Sequence, residues 1–118
     1  MKVLLAVESP DRRELLRKLI EHEPGLELVG EVADPIDLLV EVKRWQADLV
    51  VQEWPASEEI PGICSHLLIE YPDLLLVGIP RDSEHVFLCR QAVSKKKFPS
   101  TKLQEVLAKI RRRVPALR

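Results

Sequence analysis

The chain has 118 residues, 18 basic and 19 acidic, for a formal charge of -1. That length suits one domain, taken here as 1–118, large enough to bury a core without disulfides or metal. The even charge balance excludes an overall field that would gather nucleic acid or anionic lipid, and with aromatics at 4% the core falls to Leu, Val and Ile.

Two periodicities alternate from the start. KVLLAV (2–7) is a continuous apolar run suited to a central strand. SPDRRELLRKLIEH (9–22) then starts as a helix, with Ser9 to cap it, Pro10 in its first turn and Asp11 at its positive end. Its Leu15, Leu16, Leu19 and Ile20 form one stripe, and Pro24-Gly25 stop it. LELVGEV (26–32) alternates apolar and polar, as an edge strand does. ADPIDLLVEVKRWQ (33–46) is a second helix, and DLVVQE (48–53) a second buried strand, ended by Trp54-Pro55. An acidic loop through Glu58 and Glu59 leads to a helix at 63–71, and LLLVGI (74–79) is a further strand, closed by Pro80.

The last third is less regular. SEHVFLCRQAV (83–93) is expected to be a helix capped by Ser83, and SKKKFPS (94–100) leaves room for only a very short fifth strand. TKLQEVLAKIRRRV (101–114) is the clearest helix, with Thr101 and Gln104 as a capping box and Leu103, Val106, Leu107, Ile110 and Val114 as its stripe. Strands alternating with helices imply a mostly parallel sheet covered on both faces, a three-layer α/β/α domain.

In such a sheet functional groups collect at the carboxyl ends of the strands. The residues delivered there are Val7, Glu8 and Ser9; Glu53 and Trp54; Pro80 and Arg81; and the lysines at 95–97. The stretches KVLLAVESP, EPGLELVGEVADPIDLL, QADLVVQEWP and YPDLLLVGI resemble the receiver domain of two-component response regulators, over nearly the whole chain. The resemblance implies a CheY-like, flavodoxin-like, doubly wound parallel sheet of five strands with a short fifth.

The resemblance also implies an active site, and the residues depart from it. Receivers end the first strand with two magnesium-holding acids, where this chain has Val7-Glu8. The phosphoacceptor aspartate is Glu53, and the hydroxyl residue ending the fourth strand is Pro80, which has neither hydroxyl nor amide proton. Lys97 best matches the family's lysine, with Lys96 and Lys95 close behind, and AVSKKK holds no aromatic switch residue. The stretch between Pro80 and Lys97 is shorter than receivers usually have. Losing an acid weakens an octahedral magnesium site, and a nucleophile moved out by one methylene reacts poorly. The expectation is a pseudo-receiver that needs no cofactor, binds magnesium weakly or not at all, and is not an enzyme. Glu53 then either mimics the phosphorylated state or is a solvated strand-end carboxylate. A receiver phosphorylated through an unusual site is the alternative, and a small enzyme using Glu8 and Glu53 ranks below it.

With no length left for an output domain, output is expected from a protein partner, such as a histidine kinase or an output protein, or from a second copy of the chain. Phe98, Lys95 and Lys96 are candidate interface residues, Phe98 being as well suited to closing the core. Trp54 is a further candidate if exposed, although packing is the more ordinary role of an indole beside a strand end. Glu8, Glu53 and a lysine could also form a plain loop-bracing ion pair. His22, His66 and His85 fall in separate helices with no metal-ligand spacing, so no metal site is expected. The lysine run and the arginine run (111–113) look like a nucleic-acid patch, but cations are expected at a helix C-terminus and no aromatic is interleaved with the arginines, which disfavours nucleic acid. Cys64 and Cys89 lack CxxC spacing and stand among apolar neighbours, as free thiols of a reducing compartment do, a disulfide being the lesser alternative. No run approaches a membrane span and Val3–Val7 is too short for a secretory signal, so a cytoplasmic protein is expected.

Overall fold

The computed structural model describes residues 1–55, 59–81, 84–91 and 94–117. The first two-thirds of the chain form β1 (Lys2–Ala6), α1 (Pro10–Glu21), β2 (Glu27–Val32), α2 (Pro35–Trp45), β3 (Leu49–Trp54), α3 (Gly62–Glu70) and β4 (Leu75–Pro80). These four strands pair in parallel in the order β2-β1-β3-β4. The continuous apolar runs become the inner strands because alternate residues are buried against helices on opposite faces. Val3, Leu5, Leu49, Val51 and Val77 share one cluster with Leu16, Ile20 and the C-terminal helix. Leu4, Ala6, Val50, Trp54 and Leu76 share another with Leu38, Val42, Leu67 and Leu68. The alternating segment 26–32 supplies an edge strand, as its pattern predicts.

At α2, Asp34 Oδ1 accepts from the Ile36 amide at 2.9 Å and Gln46 closes the helix with φ 50°. At α1, Ser9 holds the capping position, but its side chain makes no capping hydrogen bond.

The main departure lies beyond Pro80. The predicted helix 83–93 is instead β5 (His85–Arg90), followed by β6 (Ser94–Pro99), a short 3-10 turn (Ser100–Lys102) and α4 (Leu103–Leu117). β5 runs antiparallel to β4 and β6 antiparallel to β5, giving a mixed sheet of six strands rather than five parallel ones. His85 and Cys89 therefore sit on a strand, not a helix. The physical reason is reach: a three-turn helix and a returning strand do not fit between Pro80 and Pro99, whereas a hairpin does. The run Val86–Cys89 is apolar without a break, so periodicity alone cannot tell a buried strand from a helix. In β5 it splits cleanly, with Val86 and Leu88 toward the α1/α4 face and Phe87 and Cys89 toward the α2/α3 face.

The capping box at 101–104 is not formed either. Thr101 lies in the 3-10 turn, and Gln104 Nε2 donates to Glu23 Oε1, tying α4 to the end of α1. Leu103, Val106, Leu107 and Ile110 are buried as the stripe requires. The predicted Ser83 cap, Glu58, and the Val114 and Arg111–Arg113 side chains lie outside what is described.

Candidate functional site

The carboxyl ends of β1, β3 and β4 bring Glu8, Glu53 and Arg81 together, as the parallel register demands: Glu53 pairs with Ile79 and Trp54 with Pro80. Helix α1 begins immediately above, and its first turn adds Arg12. Arg12 Nη1 lies 2.9 Å from Glu53 Oε2, and Arg12 Nη2 donates to the Arg81 carbonyl at 2.7 Å. Arg81 Nη2 reaches Glu53 Oε1 at 3.8 Å and Glu8 Oε2 at 3.5 Å. Arg13 donates twice to the Val7 carbonyl, at 3.0 and 2.9 Å, and once to that of Glu8 at 3.1 Å.

These contacts answer what an acid does at the end of a buried strand. The Glu53 side chain is only 5% exposed, so it is not a solvated strand-end carboxylate. It is held by a guanidinium that itself bridges to the loop after β4. Burying this carboxylate is tolerable because a cation and a directed N–H meet it. The Glu8 side chain is mostly exposed and, among the described residues, pairs with Arg81.

The same geometry decides how the pocket treats a metal. Val7 is fully buried and offers no side-chain oxygen, while Glu53, the remaining inward acid, faces a guanidinium. Among the described residues no three His, Cys, Asp or Glu side chains group as metal ligands. Among the described residues, those at this pocket do not fit a magnesium ion.

Pro80 ends β4 beyond the span that β5 pairs, so its missing N–H costs the ladder nothing. Lys97 is not brought to Glu53. It stands on β6, opposite Phe87, three strands from β3, or roughly 14 Å at the usual strand spacing. Arginines from α1 and the loop after β4 provide the positive charge instead. The sequence reading missed Arg12, yet a signal existed: two arginines in the first turn of a helix oppose its dipole and need another reason to be there.

Trp54 is fully buried and presents no surface to a partner. Its ring stacks on Phe87, with centroids 5.5 Å apart and 14° between planes. Gly78 leaves the space, since a Cβ there would lie 2.0 Å from the indole. Lys95 Nζ sits 4.5 Å from the Phe87 ring centroid and 5.8 Å from that of Trp54. Phe98 is half-buried and packs on the α1/α4 cluster, so closing the core is a large part of its role. Cys64 and Cys89 are free and buried, and Cys64 Sγ donates to the buried Gln52 Oε1. Burial pushes the Cys64 thiol up to about 12 and the Cys89 thiol to about 11. His66 lies 3.0 Å from Glu70 on the exposed face of α3.

No protein-family model matches the chain, and no curated protein does. Solved structures do resemble it. The isolated REC domain of RcsB from Salmonella enterica serovar Typhimurium, in the presence of phosphomimetic BeF3-, superposes with a TM-score of 0.59 at 18% identity, over 71% of this chain. The match spans 64% of that domain's chain, less than two thirds of its length. RcsB from the same organism bound to promoter rprA, also with BeF3-, gives 0.59 at 17% identity, over 70% of this chain and 71% of that one. The chain has a CheY-like receiver fold of the flavodoxin-like α/β class, with a strand where that fold has its fourth helix.

Proposed function

We propose that this chain is a pseudo-receiver: a signalling module of the two-component type that works by binding protein, without phosphorylation and without catalysing a reaction. One observation carries the reading. The Arg12 guanidinium is held against Glu53 at 2.9 Å and, through its other nitrogen, against the Arg81 carbonyl at 2.7 Å. In the receiver site that the sequence resembles, metal charge, phosphoryl group and a strand-four hydroxyl together draw the loops inward. Here a tethered cation and a carboxylate longer than aspartate already join β3, α1 and the loop after β4. Glu53 is the fixed anion of this lock, and Pro80 has no hydroxyl to report on a phosphoryl group. A receiver phosphorylated through an unusual site would need Arg12 to leave a buried carboxylate, and hydrolytic chemistry at Glu8 and Glu53 would need the same.

The partner is a protein such as a histidine kinase or an output protein, or a second copy of the chain. A cytoplasmic setting agrees with the absence, among the described residues, of any helix long and apolar enough to cross a membrane. The test is amide NMR of the full chain in magnesium with and without beryllofluoride. Unchanged resonances for Glu8, Glu53 and Arg81 are expected. Saturable shifts at those three amides would overturn the reading.

A further inference from the structure

The hairpin that replaces the expected helix leaves β6 as the last strand of the sheet. The phase of its ladder can be fixed. The Ser100 amide donates to the Glu84 carbonyl at 2.7 Å, so the 84/100 pair is a hydrogen-bonded one, and alternation makes 86/98, 88/96 and 90/94 the others. Positions 95, 97 and 99 of β6 therefore turn their backbone groups away from β5. Pro99 agrees with this phase, because its missing N–H falls on the outer side.

The side chains of this edge are equally specific. Three consecutive lysines alternate across the strand, so Lys95 and Lys97 share a face with Phe87 and Cys89, and Lys96 shares the other with Val86 and Phe98. All three are exposed, and Lys96 has no ion pair among the described residues. Cationic charge thus flanks the edge above and below. An extended strand rich in acids meets it on both faces, while an acidic helix or a folded acidic surface meets only one.

We infer that β6 takes an acidic, extended segment of a partner protein as a seventh strand, with main-chain bonds to positions 95 and 97 and carboxylates beside the lysines. This rests on the pseudo-receiver reading, since it supplies the surface through which such a module would bind. Pairing of β6 with β6 of a second copy sets like charges opposite one another. Trp54 and Phe87 are buried and offer nucleic acid no stacking platform.

The probe is a blocked peptide of repeating Glu-Glu-Val, titrated into the labelled full chain. The Lys95 and Lys97 amides should shift more than those of Lys96 and Phe98. Methylating alternate peptide nitrogens, which keeps the charge and removes the donors, should weaken binding by roughly tenfold. Lys97→Pro removes an outward donor without touching the β5 ladder and should do the same, with circular dichroism as the folding control. If the methylated peptide binds as well as the parent, if the shifts map elsewhere, or if a short DNA duplex or self-association claims the same amides more tightly, the inference falls. Phosphoryl uptake by the chain would overturn the parent reading while edge pairing stayed measurable. Phosphoryl inertness without edge pairing would remove only this inference.

Discussion

Replacing Arg12 with alanine should expose how strongly the pocket depends on its tethered cation. The Glu53 side chain is 5% exposed and would lose its 2.9 Å partner, keeping, among the described residues, only Arg81 at 3.8 Å. Removing one partner of a buried pair costs about 3–5 kcal/mol, and a hydrogen bond to a charged group nets about 1.5–3. The upper range does not apply, because Arg12 itself is 38% exposed and water can follow it out. The 2.7 Å bond to the Arg81 carbonyl goes as well. About 2–3 kcal/mol is the expected loss, or a fall in Tm of about 8–12 °C for a domain of this size. Urea unfolding followed by circular dichroism reads it, with Lys18→Ala as the control, since its pair with Glu14 is exposed and 3.8 Å long and should cost under about 0.5 kcal/mol. Glu53→Gln, which keeps an acceptor for Arg12, should fall between the two. An Arg12→Ala loss no larger than that of Lys18→Ala would refute the claim that the guanidinium holds this carboxylate.

Three further outcomes follow from the packing and the pocket. Gly78→Ala places a methyl 2.0 Å from the Trp54 ring and should cost about 2–3 kcal/mol by unseating the Trp54–Phe87 stack, seen as a change in tryptophan fluorescence and in urea midpoint. The Cys64 and Cys89 thiols, raised by burial from an ordinary 9.0 to about 12 and 11, contribute stability that is complete below pH 9 and lost as pH climbs through that window. Wild type should therefore lose stability above pH 9 faster than a Cys64→Ala/Cys89→Ala variant, and both thiols should resist alkylation at neutral pH until the protein unfolds. The triple variant Val7→Asp/Glu53→Asp/Pro80→Thr should bind magnesium more weakly than the same variant with Arg12→Ala added, by calorimetry, because the guanidinium competes for the rebuilt acids.

Most of the sheet could be read from the chain because its inner strands are unbroken apolar runs punctuated by proline and glycine. The edge position of β2 followed from its alternation. The β5–β6 hairpin was hidden for two reasons. VFLC carries no period that separates strand from helix, and the resemblance to receivers favours a helix at that place. The shortness of the segment from Pro80 to Lys97 was the visible warning. At the site, the acids and Pro80 were legible as departures from a pattern, because strand ends are fixed by the sheet. Arg12 was not, since it reaches the pocket from a helix whose docking angle is a tertiary property. Lys97 failed for the same cause as the helix: adding a strand moved it one position further from the pocket.

The measurement that bears most directly on the central claim is the intact mass of the chain after incubation with acetyl phosphate and magnesium. Wild type should keep its unmodified mass under conditions that load an active receiver assayed alongside. A phosphoryl adduct that maps to Glu53 would contradict the account, because it would require the carboxylate to leave Arg12 and react in a pocket closed by its own guanidinium.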